Sequence, residues 1–178
     1  LAIGSQTNGS VVRPASYCGV CGFKPTRGLI SRTGELRQSW HLDHVGVFAR
    51  SIEDAALLAE RLMVYDEDDP DMQPRARPKL RETALQEPPL PPEIAFVKTP
   101  VWEQADAETH AAFAELVGHL GDRVTETQLP QAFDHAVTWH RTIMEADLAL
   151  SFSREYTQGK DKLSATLIEM IERGRKVL

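Results

Sequence analysis

The sequence predicts an α/β fold with a mixed, largely parallel sheet flanked by helices, and three observations carry that prediction. The stretch from Leu1 to about Arg50 is rich in Gly, Ser, Thr and β-formers, with turn pairs at Asn8-Gly9 and Thr33-Gly34. Farther on, Glu93-Ile-Ala-Phe-Val-Lys98 reads as a buried strand, Asp106 to Leu120 as a helix with one apolar face, and Val124 to Leu129 as a second strand. Strand, helix, strand in that order suits a parallel pair, because parallel neighbours need a crossover connection of about this length. The third observation is helical spacing over Phe133–Tyr156 and Lys160–Leu178.

Taken in order, a short apolar strand starts the chain and runs into a turn of small polar residues, and a short helix is expected at Val11 to Tyr17. Ser51-Ile-Glu-Asp54 has the Ser-x-x-acid pattern of a capped helix start, and Ile52, Ala55, Ala56, Ala59, Leu62 and Met63 follow at helical spacing as far as about Tyr65. Residues 66–92 turn acidic, then basic, then Pro-rich, with no sustained period, and read as a surface linker. The expected organisation is therefore a core over 1–65, a linker over 66–92, and a strand-helix-strand unit with C-terminal helices over 93–178. A Leu1 start without a charged leader, and a last helix without a stop signal, lead to the expectation that this is an internal piece of a longer domain.

The 178 residues suffice for a real core. No apolar run approaches the roughly 20 residues of a membrane span, so no membrane association is expected. Net charge is −6 with scattered Lys and Arg, which offers no footprint for nucleic acid. Two cysteines, Cys18 and Cys21, make no disulfide framework, and a reducing, cytoplasmic setting is the simpler assumption. They form Cys-x-x-Cys, but no second Cys pair or His-x3-5-His partner follows, and His135 and His140 are five apart, which does not align them on one helical face. No metal site and no cofactor are expected.

The stretch that can carry chemistry is Gly4-Ser-Gln-Thr-Asn-Gly-Ser10-Val-Val-Arg13. A serine between a strand end and a helix start exposes its hydroxyl, while backbone N–H groups beside it stay free to bind an anion. Thr7, Asn8, Gly9 and Ser10 are the candidate donors. Asn-Gly is equally a common hairpin turn pair, and spacing alone leaves the plain turn open. A phosphate loop lacks its lysine here.

The run from Gly4 through Thr26 resembles the core signature of the amidase-signature family. Gly9-Ser10-Val-Val-Arg13-Pro14-Ala15 and Cys18 to Thr26 are similar to its two central segments, and Leu42-Asp-His-Val-Gly46 and Ala49-Arg-Ser-Ile-Glu-Asp-Ala-Ala56 follow in the family's order. The resemblance implies that Ser10 attacks an amide carbonyl in a Ser–Ser–Lys mechanism, with backbone N–H groups of Thr7, Asn8, Gly9 and Ser10 as the oxyanion hole. It puts the lysine and the bridging serine upstream of Leu1, so the expectation is a chain inactive alone. Lys24, in a Lys-Pro-Thr strand start, is no substitute. Gln6 and Asn8 depart from the family's usual Asp and Gly, and Asn8 would narrow the backbone freedom that Gly gives such a loop.

Arg13 can anchor a substrate carboxylate or tie down the loop, and Trp40 and His41 are candidates for lining a substrate pocket. The expected partner is a small-molecule amide. Two alternatives stay open: a glutamine-hydrolysing amidotransferase A-type subunit, and a non-catalytic interaction domain that keeps the scaffold. Uncovered sheet edges would favour homo-oligomers.

Overall fold

The structure, a computed structural model, describes residues 1–177. Its strands are β1 (Ala2–Gln6), β2 (Cys21–Phe23), β3 (His44–Ala49), β4 (Ile94–Val97) and β5 (Val124–Thr127). The helices are α1 (Val12–Tyr17), α2 (Ile52–Leu62), α3 (Leu80–Ala84), α4 (Ala107–Leu120), α5 (Ala136–Ser151), α6 (Ser153–Gly159) and α7 (Ala165–Gly174). Two compact units result: Leu1–Gln86 together with the chain from Arg141 onward, and Glu87–His140 between them. No helix among the described residues is long and apolar enough to cross a membrane.

In the first unit the sheet order is β1-β3-β2. Both outer strands pair antiparallel with β3, Ala2 lying opposite Phe48, Gln6 opposite His44, and Cys21 opposite Ala49. β1 and β2 therefore run in the same direction around α1, as a crossover unit should, but β3 enters between them from the opposite sense. The expected parallel pairing is seen in β4 and β5, with Ile94 opposite Val124; the N-terminal sheet is antiparallel. The class is mixed α/β, as the sequence predicts.

The core lies where α2 meets this sheet, with Ile30, Val47, Ala49, Ala55, Ala59 and Met63 buried together. α2 begins as its sequence dictates, the Ser51 hydroxyl accepting the Asp54 N–H. α1 lies close on the sheet because β2 offers Gly22 beneath it; a Cβ there would meet the Ala15 Cβ at 2.6 Å. Val11 and Ala15 are the residues that α1 and its entry bury.

Residues 66–72 are not a free surface segment. Ser31 donates its hydroxyl to Asp66 at 2.5 Å, Asp69 is buried, and Met72 packs inside. α3 follows against α2, where Arg81 binds Glu53. The two long C-terminal helices expected from spacing are each interrupted: α5 is preceded by a tight turn at Gln131–His135 and followed at Phe152 by α6, and α7 starts afresh at Ser164, whose hydroxyl accepts the Leu167 N–H. Leu148, Ala149 and Ile171 form a second small core between α5 and α7.

The second unit pairs β4 with β5 and packs Phe96, Trp102, His110 and Phe113 ring to ring beside α4. Its β4 is not the buried strand the sequence suggests, since Ile94 is 38% exposed. A two-stranded sheet has only edges, and neither strand gains a covered interior position.

Candidate active site

The turn after β1 holds Ser10. Gln6 ends the strand, Thr7, Asn8 and Gly9 bend the chain, and α1 begins at Val12. Gly9 has φ of +142°, a conformation that side-chain-bearing residues rarely adopt. No residue other than glycine has positive φ among the described residues, so Asn8 meets no conformational penalty where the family resemblance leads one to expect Gly. Val11 stands at the helix N-cap without a capping side chain. Gln6 takes over that function: its Oε1 accepts the N–H groups of Val11 and Val12 at 2.9 and 3.0 Å.

The Gly9 carbonyl accepts the Arg13 N–H at 2.8 Å, which tightens the turn. Among the described residues, the N–H groups of Asn8, Gly9 and Ser10 have no acceptor, and the Ser10 hydroxyl is exposed and unbonded. Three free donors beside an accessible hydroxyl can receive an anion that forms on an attacked carbonyl.

Thr7 connects this turn to the loop before β3. Its hydroxyl donates to Asp43 Oδ1 at 2.6 Å, and Asp43 Oδ2 accepts the N–H groups of Gln38 and Ser39. From the far side of that loop, the Arg32 guanidinium donates to the Trp40 carbonyl at 2.9 Å and binds Asp69 and Asp71. Arg32 and Asp69 are both buried. Burial would raise the Asp69 pKa, but the hydrogen bonds from the Arg32 side chain and from the Arg32 and Asp71 amides outweigh it and bring it to about 2.

Trp40 and His41 project from the same loop. Two guanidinium groups approach the Trp40 ring, Arg37 at 4.1 Å and Arg32 at 5.4 Å. It lines an open cleft of about 580 Å³ with Glu35, Arg37, Asp147 and Leu150. Burial pushes the Glu35 carboxyl up, and one of its oxygens lies buried without a hydrogen-bond partner among the described residues. His41 is exposed but anchored: its Nδ1 lies 3.0 Å from both oxygens of Asp147, which also accepts the His41 N–H and the Ser39 hydroxyl. Burial opposes ionisation of Asp147, yet these bonds hold its pKa below the usual value.

His41 also borders an apolar groove of about 330 Å³ with Leu42, Ile143, Ala146 and Val177. Neither groove is lined by Ser10 or Arg13. The fold thus joins Trp40 and His41 to Asp147, and joins the Ser10 turn to them through Thr7 and Asp43. Arg13 is exposed and makes no ion pair among the described residues; its guanidinium carbon sits about 4.0 Å from where a Gly9 Cβ would be.

Lys24 donates to the Pro25 carbonyl at 2.7 Å, and burial lowers its pKa. It makes no hydrogen bond to Ser10 among the described residues. The two thiols are free, and Cys18 is exposed, because Val11 and Ala15 already fill the face of α1 that meets the sheet. Asp43, Asp147 and Arg32 escaped the sequence reading. The only local signal was for Asp43, in the Leu-Asp-x-Val-Gly segment.

Known proteins resemble the chain over nearly its whole length. A family model described as Amidase matches residues 1–177. The A-type subunit of the glutamyl-tRNA(Gln) amidotransferase of Gloeothece citriformis (strain PCC 7424) is 34% identical over 165 residues, covering 86% of this chain and 32% of that protein. Its counterpart in Koribacter versatilis (strain Ellin345) is 30% identical over 181 residues, covering 98% of this chain and 37% of that protein. The chain therefore spans about a third of the length of these curated relatives.

Among solved structures, 6-aminohexanoate cyclic dimer hydrolase complexed with substrate superposes with a TM-score of 0.77 at 28% identity, covering 98% of this chain and 39% of that one. A chain from a vestigial protein complex, described as revealing the evolutionary origins of an s-triazine catabolic enzyme, gives 0.85 at 25% identity, covering 97% and 37%. A family match that runs through every described residue, over a fold shared with such enzymes, means that the chain belongs to the amidase family.

Proposed function

We propose that the whole protein hydrolyses a carboxylic amide through an acyl-enzyme on Ser10. The observation that carries this reading is the turn itself: an exposed hydroxyl beside the unengaged N–H groups of Asn8, Gly9 and Ser10, entered through a glycine at φ +142°. Ser10 Oγ forms the bond to the carbonyl carbon, the C–N bond breaks, ammonia or an amine leaves with a proton, and water cleaves the ester. Each backbone donor to the oxyanion contributes about 2.7–4 kcal/mol to a barrier of this kind. A neutral serine needs a base within hydrogen-bond reach. Lys24 is a poor fit for it, being held to Pro25, and the family resemblance assigns the base and its bridging serine to sequence outside these 178 residues.

The whole protein should release ammonia or an amine from simple amides and take up a fluorophosphonate at Ser10. Ser10→Ala should lose both, whereas retained hydrolysis in that variant overturns the reading. The 178-residue chain by itself should label only slowly.

A second reading is a glutamine-hydrolysing component of a tRNA-linked amidotransferase. It is favoured by the curated relatives, which carry that name at 30–34% identity. Simple amides cleaved without ATP or tRNA favour the first reading; release confined to glutamine favours the second.

A further inference from the structure

We propose that Asp43 is a positioning residue that fixes the oxyanion donors through Thr7, a role that rests on Ser10 being the nucleophile. The Thr7 hydroxyl reaches Asp43 at 2.6 Å across 36 positions of sequence. Asp43 is 2% exposed, and its second oxygen is held by the N–H groups of Gln38 and Ser39 at 2.7 and 2.8 Å, so the carboxylate has no room to swing away. Ser39 in turn donates its hydroxyl to the buried Asp147 of α5 at 2.6 Å.

Gln6 is the last residue of β1 and Thr7 the first of the bend that follows, and their side chains take different partners. Gln6 seizes the amides of Val11 and Val12 beyond the turn, and Thr7 seizes Asp43 before it. The free amides of Asn8, Gly9 and Ser10 stand between these two pins. Donors of this kind act only if they are fixed before charge develops on the substrate, and a misplacement of about 1 Å costs about 100-fold in rate. Asp43 therefore acts without touching the substrate.

The test compares Thr7→Val, Thr7→Ser, Asp43→Ala and Ser10→Ala in the whole protein. Thr7→Val keeps the side-chain shape and should lower kcat at least about tenfold while KM stays within about twofold. Thr7→Ser, which restores the hydroxyl, should recover most of the loss. Asp43→Ala should match or exceed Thr7→Val, and the double variant should be no slower than Asp43→Ala alone, because the two residues form one device. Should Asp43→Ala fail to fold, the Thr7 pair decides. Thr7→Val at the wild-type kcat, with Ser10→Ala inactive, overturns the role of Asp43. Retained activity in Ser10→Ala instead brings down the nucleophile reading itself.

Discussion

Arg32 and Asp69 form a buried ion pair in the N-terminal unit. Arg32 is 2% exposed and Asp69 1%, and removal of one partner leaves the other buried and charged. Asp69→Ala should therefore cost about 3–5 kcal/mol, read from urea unfolding near neutral pH. The pH dependence follows from the shift. Asp69 titrates at about 2 in the fold, below its ordinary value of 3.8, so its contribution is fully present above the ordinary value and is lost as pH falls through about 2. Unfolding curves taken between about pH 4 and pH 2 should show a slope that Asp69→Ala lacks in part. The bend at Ser10 was legible in the sequence because Asn8, Gly9 and the start of α1 lie within a few positions of it. Asp43 and Asp147 were not, because their partners lie 36 and 106 or more positions away, and no local pattern records a contact of that span.

Among the elements, α2 was the most readable, since its cap, its acidic first turn and its alanine face are all local. Ser51→Ala should lower stability by about 1 kcal/mol without affecting labelling at Ser10, which a denaturation midpoint and a fluorophosphonate assay would check together. Helix α1 shows the opposite case. It was expected at Val11 to Tyr17, but its N-terminus is capped from the strand by Gln6, a residue the sequence offered only as a departure from a family pattern. Helix α3 was hidden for another reason: five residues form no stable helix by themselves, and this one depends on packing against α2 and on Arg81 reaching Glu53. The antiparallel sheet was missed because strand direction depends on which strand enters between two others, and spacing along the chain carries no such information.

At the scale of the whole molecule, the two units differ in kind. The first has two buried clusters, whereas no described residue of Glu87–His140 is buried. With Phe113 41% and Leu116 50% exposed, the second unit has an aromatic contact but no sealed core. Local opening free energy follows buried contact, so amide exchange should be markedly faster in β4, β5 and α4 than in β3 and α2. Exchange followed by mass spectrometry on the 178-residue chain would test this, and equal protection in both sets would contradict it.

The first unit is also interrupted: its sheet and α2 come before residue 87, and α7 with the part of α5 from Arg141 onward only after the second unit. Ser39 and His41 thus wait for an acid that lies 108 and 106 positions downstream. At a synthesis rate of about 5–20 residues per second, Asp147 is added about 5–20 s after Ser39. Throughout that interval the loop of Ser39 and His41 lacks the carboxylate that holds it in the finished fold. The contact of Ser39 and His41 with Asp147 can therefore form only after the inserted residues have been made, and a longer insert would delay it.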